Sequence, residues 1–126
     1  MKILAVDDER DIQTLFEQRF RKEIKSGEVE LVFANSGNEA IEYLNHHNHK
    51  DVFILSDINM PGMSGLELLQ KIKEKFENPS PIVMMMTAYG DEYNYNQAIK
   101  LGADDLFTKP VDFNVLKEKL KSKLAG

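Results

Sequence analysis

Five short strand-like stretches, four of them carrying an apolar run, punctuate the chain, and each is followed by a polar turn and then a segment with helical spacing. Residues 2–6 form the first run, which stops at Asp7-Asp8-Glu9. From Ile12 the apolar positions turn helical (Ile12, Leu15, Phe16, Phe20, Ile24), and Ser26-Gly27 ends that helix. Residues 29–34 read as a second strand. Ser36-Gly37-Asn38-Glu39 has the form of a capping box, opening a helix with Ala40, Ile41 and Leu44 on one face. A polar break follows at His46-His47-Asn48-His49-Lys50. The third strand, residues 52–56, runs straight into Asp57. A second capping pattern, Ser64-Gly65-Leu66-Glu67, starts a helix that presents Leu66, Leu69, Ile72 and Phe76.

After the loop Asn78-Pro79-Ser80-Pro81, residues 82–86 are apolar without interruption, which predicts a central strand buried on both faces, with Met84, Met85 and Met86 in the core. It ends at Thr87. Residues 91–101 predict a weak fourth helix, because Asn94 and Asn96 are poor helix formers and the apolar face is thin. Gly102 closes it. Residues 105–108 predict the last strand, ending at Lys109-Pro110, and Asp112 caps a fifth helix whose stripe is Val115, Leu116, Leu120 and Leu124. Five strands alternating with five helices, joined by right-handed crossovers, predict an α/β, doubly wound parallel sheet with helices on both faces. With no linker, repeat or shift in composition, residues 1–126 are expected to form one domain with no second, output domain.

Composition narrows the chemistry. The chain has no cysteine, which removes disulfides, thiol nucleophiles and cysteine-based metal sites. A net charge of −5 argues against nucleic acid or an anionic membrane as a direct partner. No apolar run nears the length of a membrane span, and the first residues turn acidic too early for a signal peptide, so a cytoplasmic protein is expected. The histidine cluster at 46–49 reads as a solvated loop before it reads as a metal site.

The strand ends carry the candidate chemistry: Asp7 and Asp8, Asp57, Thr87 and Lys109. Taken singly, these read as acids at a helix start, a turn threonine and a solvated lysine. Taken together, in the strand order 2-1-3-4-5 known for one class of doubly wound folds, they share the crevice where strands one and three part. Three converging carboxylates repel one another, and a hard divalent cation relieves that repulsion. A carboxylate can also act as a nucleophile toward phosphorus, a reaction that needs mainly positioning and charge neutralisation. Asp57 would accept the phosphoryl group, the metal would bridge its carboxylate and a phosphoryl oxygen, Lys109 would neutralise a second oxygen, and Thr87 would donate to a third.

The pieces VDDE at 6–9, SDINMPGMSG at 56–65, MTAYG at 86–90 and LGADDLFTKP at 101–110 occur in this order along the whole chain. With them the sequence resembles the response-regulator receiver family of two-component signalling, whose fold is flavodoxin-like. The resemblance implies that Asp57 is the phosphoacceptor. It implies a metal site of Asp7, Asp8, Asp57 and the main-chain carbonyl of Asn59, holding Mg2+ with Mn2+ as a substitute, in which Asp8 binds directly and Asp7 mostly through water. Lys109 and Thr87 become the phosphate-contacting pair, and the Lys109–Pro110 bond is expected to be cis. Thr87, Leu106, Asn59 and Tyr89 resemble the switch and lifetime positions, with Tyr89 expected to shield the acyl phosphate from water. Family members carry Tyr or Phe three residues before the lysine, where this chain has Leu106; Phe107 beside it is expected in the core. Ser56 replaces the usual apolar residue before the acceptor.

The implied partners are a histidine kinase or a His-containing phosphotransfer protein upstream, and a downstream protein or tethered output domain. A phosphorylation-dependent dimer would form through the fourth helix, fifth strand and fifth helix. The implied activity is a switch and not turnover of an exogenous substrate. An aspartate-nucleophile phosphohydrolase ranks lower, because such enzymes usually carry D-x-D after the first strand and this chain has adjacent aspartates. A pseudo-receiver lacking phosphate chemistry ranks lower because the site is complete.

Overall fold

Each strand splits its apolar side chains between two layers, and that alternation builds the molecule. The computed structural model describes residues 1–77, 79–88 and 92–125, without the side chains of Leu124 and Ala125. Its strands are β1 (Lys2–Val6), β2 (Glu30–Ala34), β3 (Val52–Asp57), β4 (Ile82–Thr87) and β5 (Asp105–Thr108). All pair in parallel in the order β2-β1-β3-β4-β5, as the doubly wound reading expects. Leu4, Val6, Val52, Ile54, Val83 and Met85 point to one face, and Ile3, Ala5, Phe53, Leu55, Met84 and Met86 to the other. Because both faces are covered, β3 is buried along its whole length.

The described residues form six helices: α1 (Arg10–Arg19), α2 (Arg21–Lys25), α3 (Gly37–Asn45), α4 (Gly65–Lys75), α5 (Glu92–Lys100) and α6 (Phe113–Ala125). Residues of α3, α4 and α5 pack on the first face, and residues of α1 and α6 on the second. The second layer is aromatic at its centre, with the rings of Phe16 and Phe20 lying 5.2 and 6.0 Å from that of Phe113. Edge-on pairs of this kind add about 0.5–1.5 kcal/mol each beyond their buried area.

Four features differ from the sequence reading. The first helix is two helices, broken at Phe20 (φ −101°, ψ 10°). The Lys117 ammonium donates to the Arg19 carbonyl at 2.7 Å, and a side chain entering the carbonyl ladder is a recognised cause of such a break. The break turns the following residues, so Ile24 is 38% exposed and leaves the buried face. Val115 also leaves it, at 40% exposed, because Phe113, Leu116 and Leu120 define the inward stripe of α6 and a neighbour one residue away points elsewhere. The polar break at 46–50 runs into a 3-10 turn, His49–Asp51. His46 pairs with Glu42, His47 stacks on Tyr43 and His49 packs against Phe76.

The caps are where the sequence puts them. Ser36 and Ser64 accept from the N–H groups of Glu39 and Glu67 at 3.2 Å, and Asp112 accepts from Asn114 and Val115. Met84, Met85, Met86 and Phe107 are core. Asp91 as a helix start, the Leu124 end of the α6 stripe and Tyr89 lie outside what is described. No described helix is long and apolar enough to cross a membrane.

Candidate metal and phosphoryl-transfer site

The site is assembled by strand ends, and the ladder decides which way each side chain points. β3 and β4 run one residue further than their apolar pattern, so Asp57 pairs in register with Met86, and Thr87 with Thr108. Parallel strands leave the sheet at the same end, which brings Asp7, Asp57, Thr87 and Lys109 to one rim. Main-chain bonds tie that rim together: Ile58 N–H to the Met86 carbonyl and Lys109 N–H to the Thr87 carbonyl, both at 2.8 Å.

Carboxylate oxygens of Asp7, Asp8 and Asp57 lie within 4.8 Å of one another. Asp7 and Asp57 are buried, at 2% and 3% exposed, whereas Asp8 is open to solvent. The Lys109 ammonium reaches Asp7 at 2.9 Å and Asp57 at 3.4 Å. The other Asp7 oxygen accepts from Glu9 N–H at 3.0 Å, at the start of α1. The Lys109–Pro110 bond is cis, as expected.

One ammonium therefore faces three carboxylates, and the deficit is visible in the ionisation of the group at the centre. Burial pushes the Asp57 carboxyl up from its ordinary pKa; Lys109 pulls it back, and Asp7 pushes it further up. Burial acts against the charge of Lys109, but Asp7 and then Asp57 outweigh it and raise its pKa. Oxygen donors in excess of cations suit a hard divalent ion with several retained waters, so the residues present fit Mg2+. Among the described residues, this is the group of His, Asp and Glu side chains placed to hold a metal, and the three histidines of 46–49 are not part of it.

Of the sequence-derived site residues, Asp7, Asp8, Asp57 and Lys109 converge directly. Thr87 is fully buried at the adjacent strand end. Asn59 is exposed in the loop after Asp57. Leu106 is half-buried and packs on the layer beneath α4 and α5, three residues before Lys109.

Two further residues hold the acceptor in place. The buried Ser56 hydroxyl donates to the Asp57 carbonyl at 3.0 Å. Gly65, the first residue of α4, lies so close that a Cβ there would overlap the Asp57 carbonyl oxygen and stand 2.7 Å from Ile58 Cα, while its N–H bonds the Ile58 carbonyl at 2.8 Å. The sequence reading treated Gly65 as part of a cap and Ser56 as a departure. The available signal was a glycine at the first helical position, where other residues are better helix formers.

The model of the family described as the response regulator receiver domain matches residues 3–121. Solved structures agree. A response regulator receiver domain protein from Clostridium thermocellum has a TM-score of 0.82 at 28% identity, over 96% of this chain and 91% of that one. The signal receiver domain of an HD domain-containing protein from Pseudomonas fluorescens Pf-5 has a TM-score of 0.85 at 25% identity, over 98% and 94%. A two-component response regulator from Clostridium difficile reaches 0.86 over 99% and 96%; at 22% identity that is a likeness of fold.

Proposed function

The chain belongs to the response-regulator receiver family, and from that premise we propose that it is a phosphoacceptor switch acting through Asp57. The observation that carries this reading is the cluster of three carboxylates at the rim of a parallel sheet, two of them buried and both against one lysine. Receiver domains are signalling switches and, in general, not turnover enzymes.

A carboxylate oxygen of Asp57 attacks the phosphorus of the donor, the bond from phosphorus to the donor breaks, and an acyl phosphate forms on Asp57. Water later cleaves it, returning the carboxylate and inorganic phosphate. Asp7, Asp8, Asp57 and the Asn59 carbonyl would hold Mg2+, with Mn2+ as a substitute. The ion, when bound, supplies charge neutralisation for the carboxylates and the phosphoryl oxygens. Lys109, already against Asp57, follows the incoming negative charge, and the Thr87 hydroxyl donates to a phosphoryl oxygen. Tyr89 acts on the lifetime by screening water, and Asn59, exposed in the loop after Asp57, is the second lifetime position.

The donor is a histidine kinase or a His-containing phosphotransfer protein. An apolar recess of about 320 Å3 beside Lys109, lined by Ile12, Leu15, Phe16 and Phe113, supports docking of such a partner next to the acceptor. On phosphorylation Thr87 moves inward and the surface of α5, β5 and α6 changes. Leu106 carries no hydroxyl, so its part in that change is packing alone. The changed surface engages a downstream protein, a tethered output domain or a second copy of the chain. The similar Pseudomonas receiver belongs to an HD domain-containing protein, one form that tethering takes. Residues 1–126 act as one receiver domain in the cytoplasm under this proposal.

Intact mass after incubation with acetyl phosphate tests it. A labile adduct of about one phosphoryl group is expected with Mg2+, absent in its absence and absent in Asp57→Asn. An adduct that persists in Asp57→Asn, or none on the wild type, rejects Asp57 as the acceptor.

A further inference from the structure

The loop between Asp57 and α4 is held by two methionines of unequal depth. Met60 is 9% exposed and belongs to the core layer beneath α3 and α4. Met63 is half-buried at the margin of that layer. It lies across Gly37, the first residue of α3: a Cβ at Gly37 would stand 2.5 Å from Met63 Sδ, 3.1 Å from Cγ and 3.2 Å from Cβ. Three successive atoms of one side chain thus rest on bare backbone.

Gly37 is not required by its backbone angles, since it lies outside the left-handed region that Gly27, Gly62 and Gly102 occupy. In a helix it is a worse choice than alanine. What glycine provides there is room for Met63. The seat itself is firm, because the Ser36 cap fixes the start of α3. A thioether chain, unbranched and polarizable, suits such a shallow rest.

Between the fixed Ile58, bonded to both Met86 and Gly65, and the rest on Gly37 lies Asn59. We propose that Met63, seated on Gly37, is a positioning residue for the divalent cation: it sets where the loop holds the Asn59 carbonyl. The inference rests on the reading above that this carbonyl is a ligand. Mg2+ demands near-octahedral geometry at short distances, so a loop displaced by a fraction of an ångström holds it less well. Changes in the residues that orient ligands commonly weaken metal binding about 10–100-fold.

The test is a double-mutant cycle on the full chain, with Mg2+ affinity read by calorimetric titration and acetyl phosphate labelling measured at low and saturating Mg2+. Met63→Ala is expected to raise the Kd for Mg2+ about five- to tenfold while labelling at saturating Mg2+ stays within about twofold of wild type. Met63→Leu, of similar volume, restores the affinity. Gly37→Ala weakens Mg2+ binding alone but costs less in the Met63→Ala background, where the sulfur and Cγ that its methyl would meet are gone. The inference is overturned if Met63→Ala binds Mg2+ as the wild type does, or if Gly37→Ala costs the same in both backgrounds. If the wild type takes neither Mg2+ nor phosphoryl, the parent reading fails first, and that result is visible before any variant is compared.

Discussion

Helices α4 and α5 lie in the same layer and each follows a strand that ends in a site residue, yet they are held very differently. Of the eleven residues of α4, Gly65, Leu68, Leu69 and Ile72 are buried, and Gly65 abuts the acceptor's own carbonyl. Of the nine of α5, Ala98 is buried, while Tyr93, Tyr95 and Ile99 stand 68%, 53% and 46% exposed. A helix that buries one small side chain gains little from tertiary packing, which is where most helical stability in proteins comes from. The fold thus sets a fixed platform behind Asp57 and a loosely held element behind Thr87. Segments of low local stability are the ones that move in switching.

The largest expected effect tests that contrast directly. Leu69→Ala removes a fully buried side chain and should cost about 2–5 kcal/mol by urea denaturation, whereas Ile99→Ala should cost less than about 0.5 kcal/mol. Comparable losses would mean that α5 is as firmly docked as α4.

A smaller effect concerns the platform's own strain. Burial raises the pKa of Asp57 despite Lys109, and Asp7 adds to the rise, so the folded state binds the proton more tightly than the unfolded chain does. By linkage the penalty is absent below the unfolded pKa near 3.9 and fully present above the folded value. With a chelator present, Asp57→Asn should therefore stabilise the protein at neutral pH by on the order of 1 kcal/mol, or about 4 °C in thermal midpoint. The gain should shrink as the pH falls toward 4. A variant that melts lower than wild type at neutral pH would show that the acceptor is comfortable where it sits.

The smallest lies on the opposite face. The hydrogen bond from Lys117 holds the Glu23 carboxyl below its ordinary range against the opposing effect of burial. A depressed carboxyl stabilises the fold above its unfolded pKa and ceases to as the pH drops through the folded value. Glu23→Gln should lose about 0.5 kcal/mol at neutral pH, with the difference fading in acid. One Glu23 oxygen is buried with no hydrogen-bond partner, which keeps the expected loss small.

The strands and their order of chemistry were legible because the first four carry unbroken apolar runs of four or five residues that each end in a polar side chain, and only a parallel sheet gathers such ends on one rim. The weakness of α5 was legible too, in Asn94, Asn96 and a thin apolar face. The break at Phe20 was not: the Lys117 ammonium that binds the Arg19 carbonyl there comes from far along the chain, and nothing in the local spacing of Phe16, Phe20 and Ile24 announces it. Val115 was misplaced because Phe113, Leu116 and Leu120 set the inward stripe of α6, and pattern alone does not choose which of Val115 and Leu116 joins it. At the site, the clustering of Asp7, Asp8, Asp57 and Lys109 could be anticipated. The seats at Gly65 and Gly37 could not, since a glycine read locally signals a turn or cap, and only the fold reveals what leans on it.

Lys117 also orders events in time. Its ammonium bridges the Arg19 carbonyl, the Glu23 carboxylate and, 5.2 Å away, the ring of Phe20, a clasp between residues 98 positions apart. A ribosome builds a chain from its N-terminus, so residues 10–25 are made long before their clasp. Until residue 117 emerges, water must satisfy that carbonyl. The junction of α1 and α2 is thus clasped by a residue synthesised 98 positions after Arg19, and a nascent chain halted before residue 117 would carry the right residues in α1 and α2 without that contact.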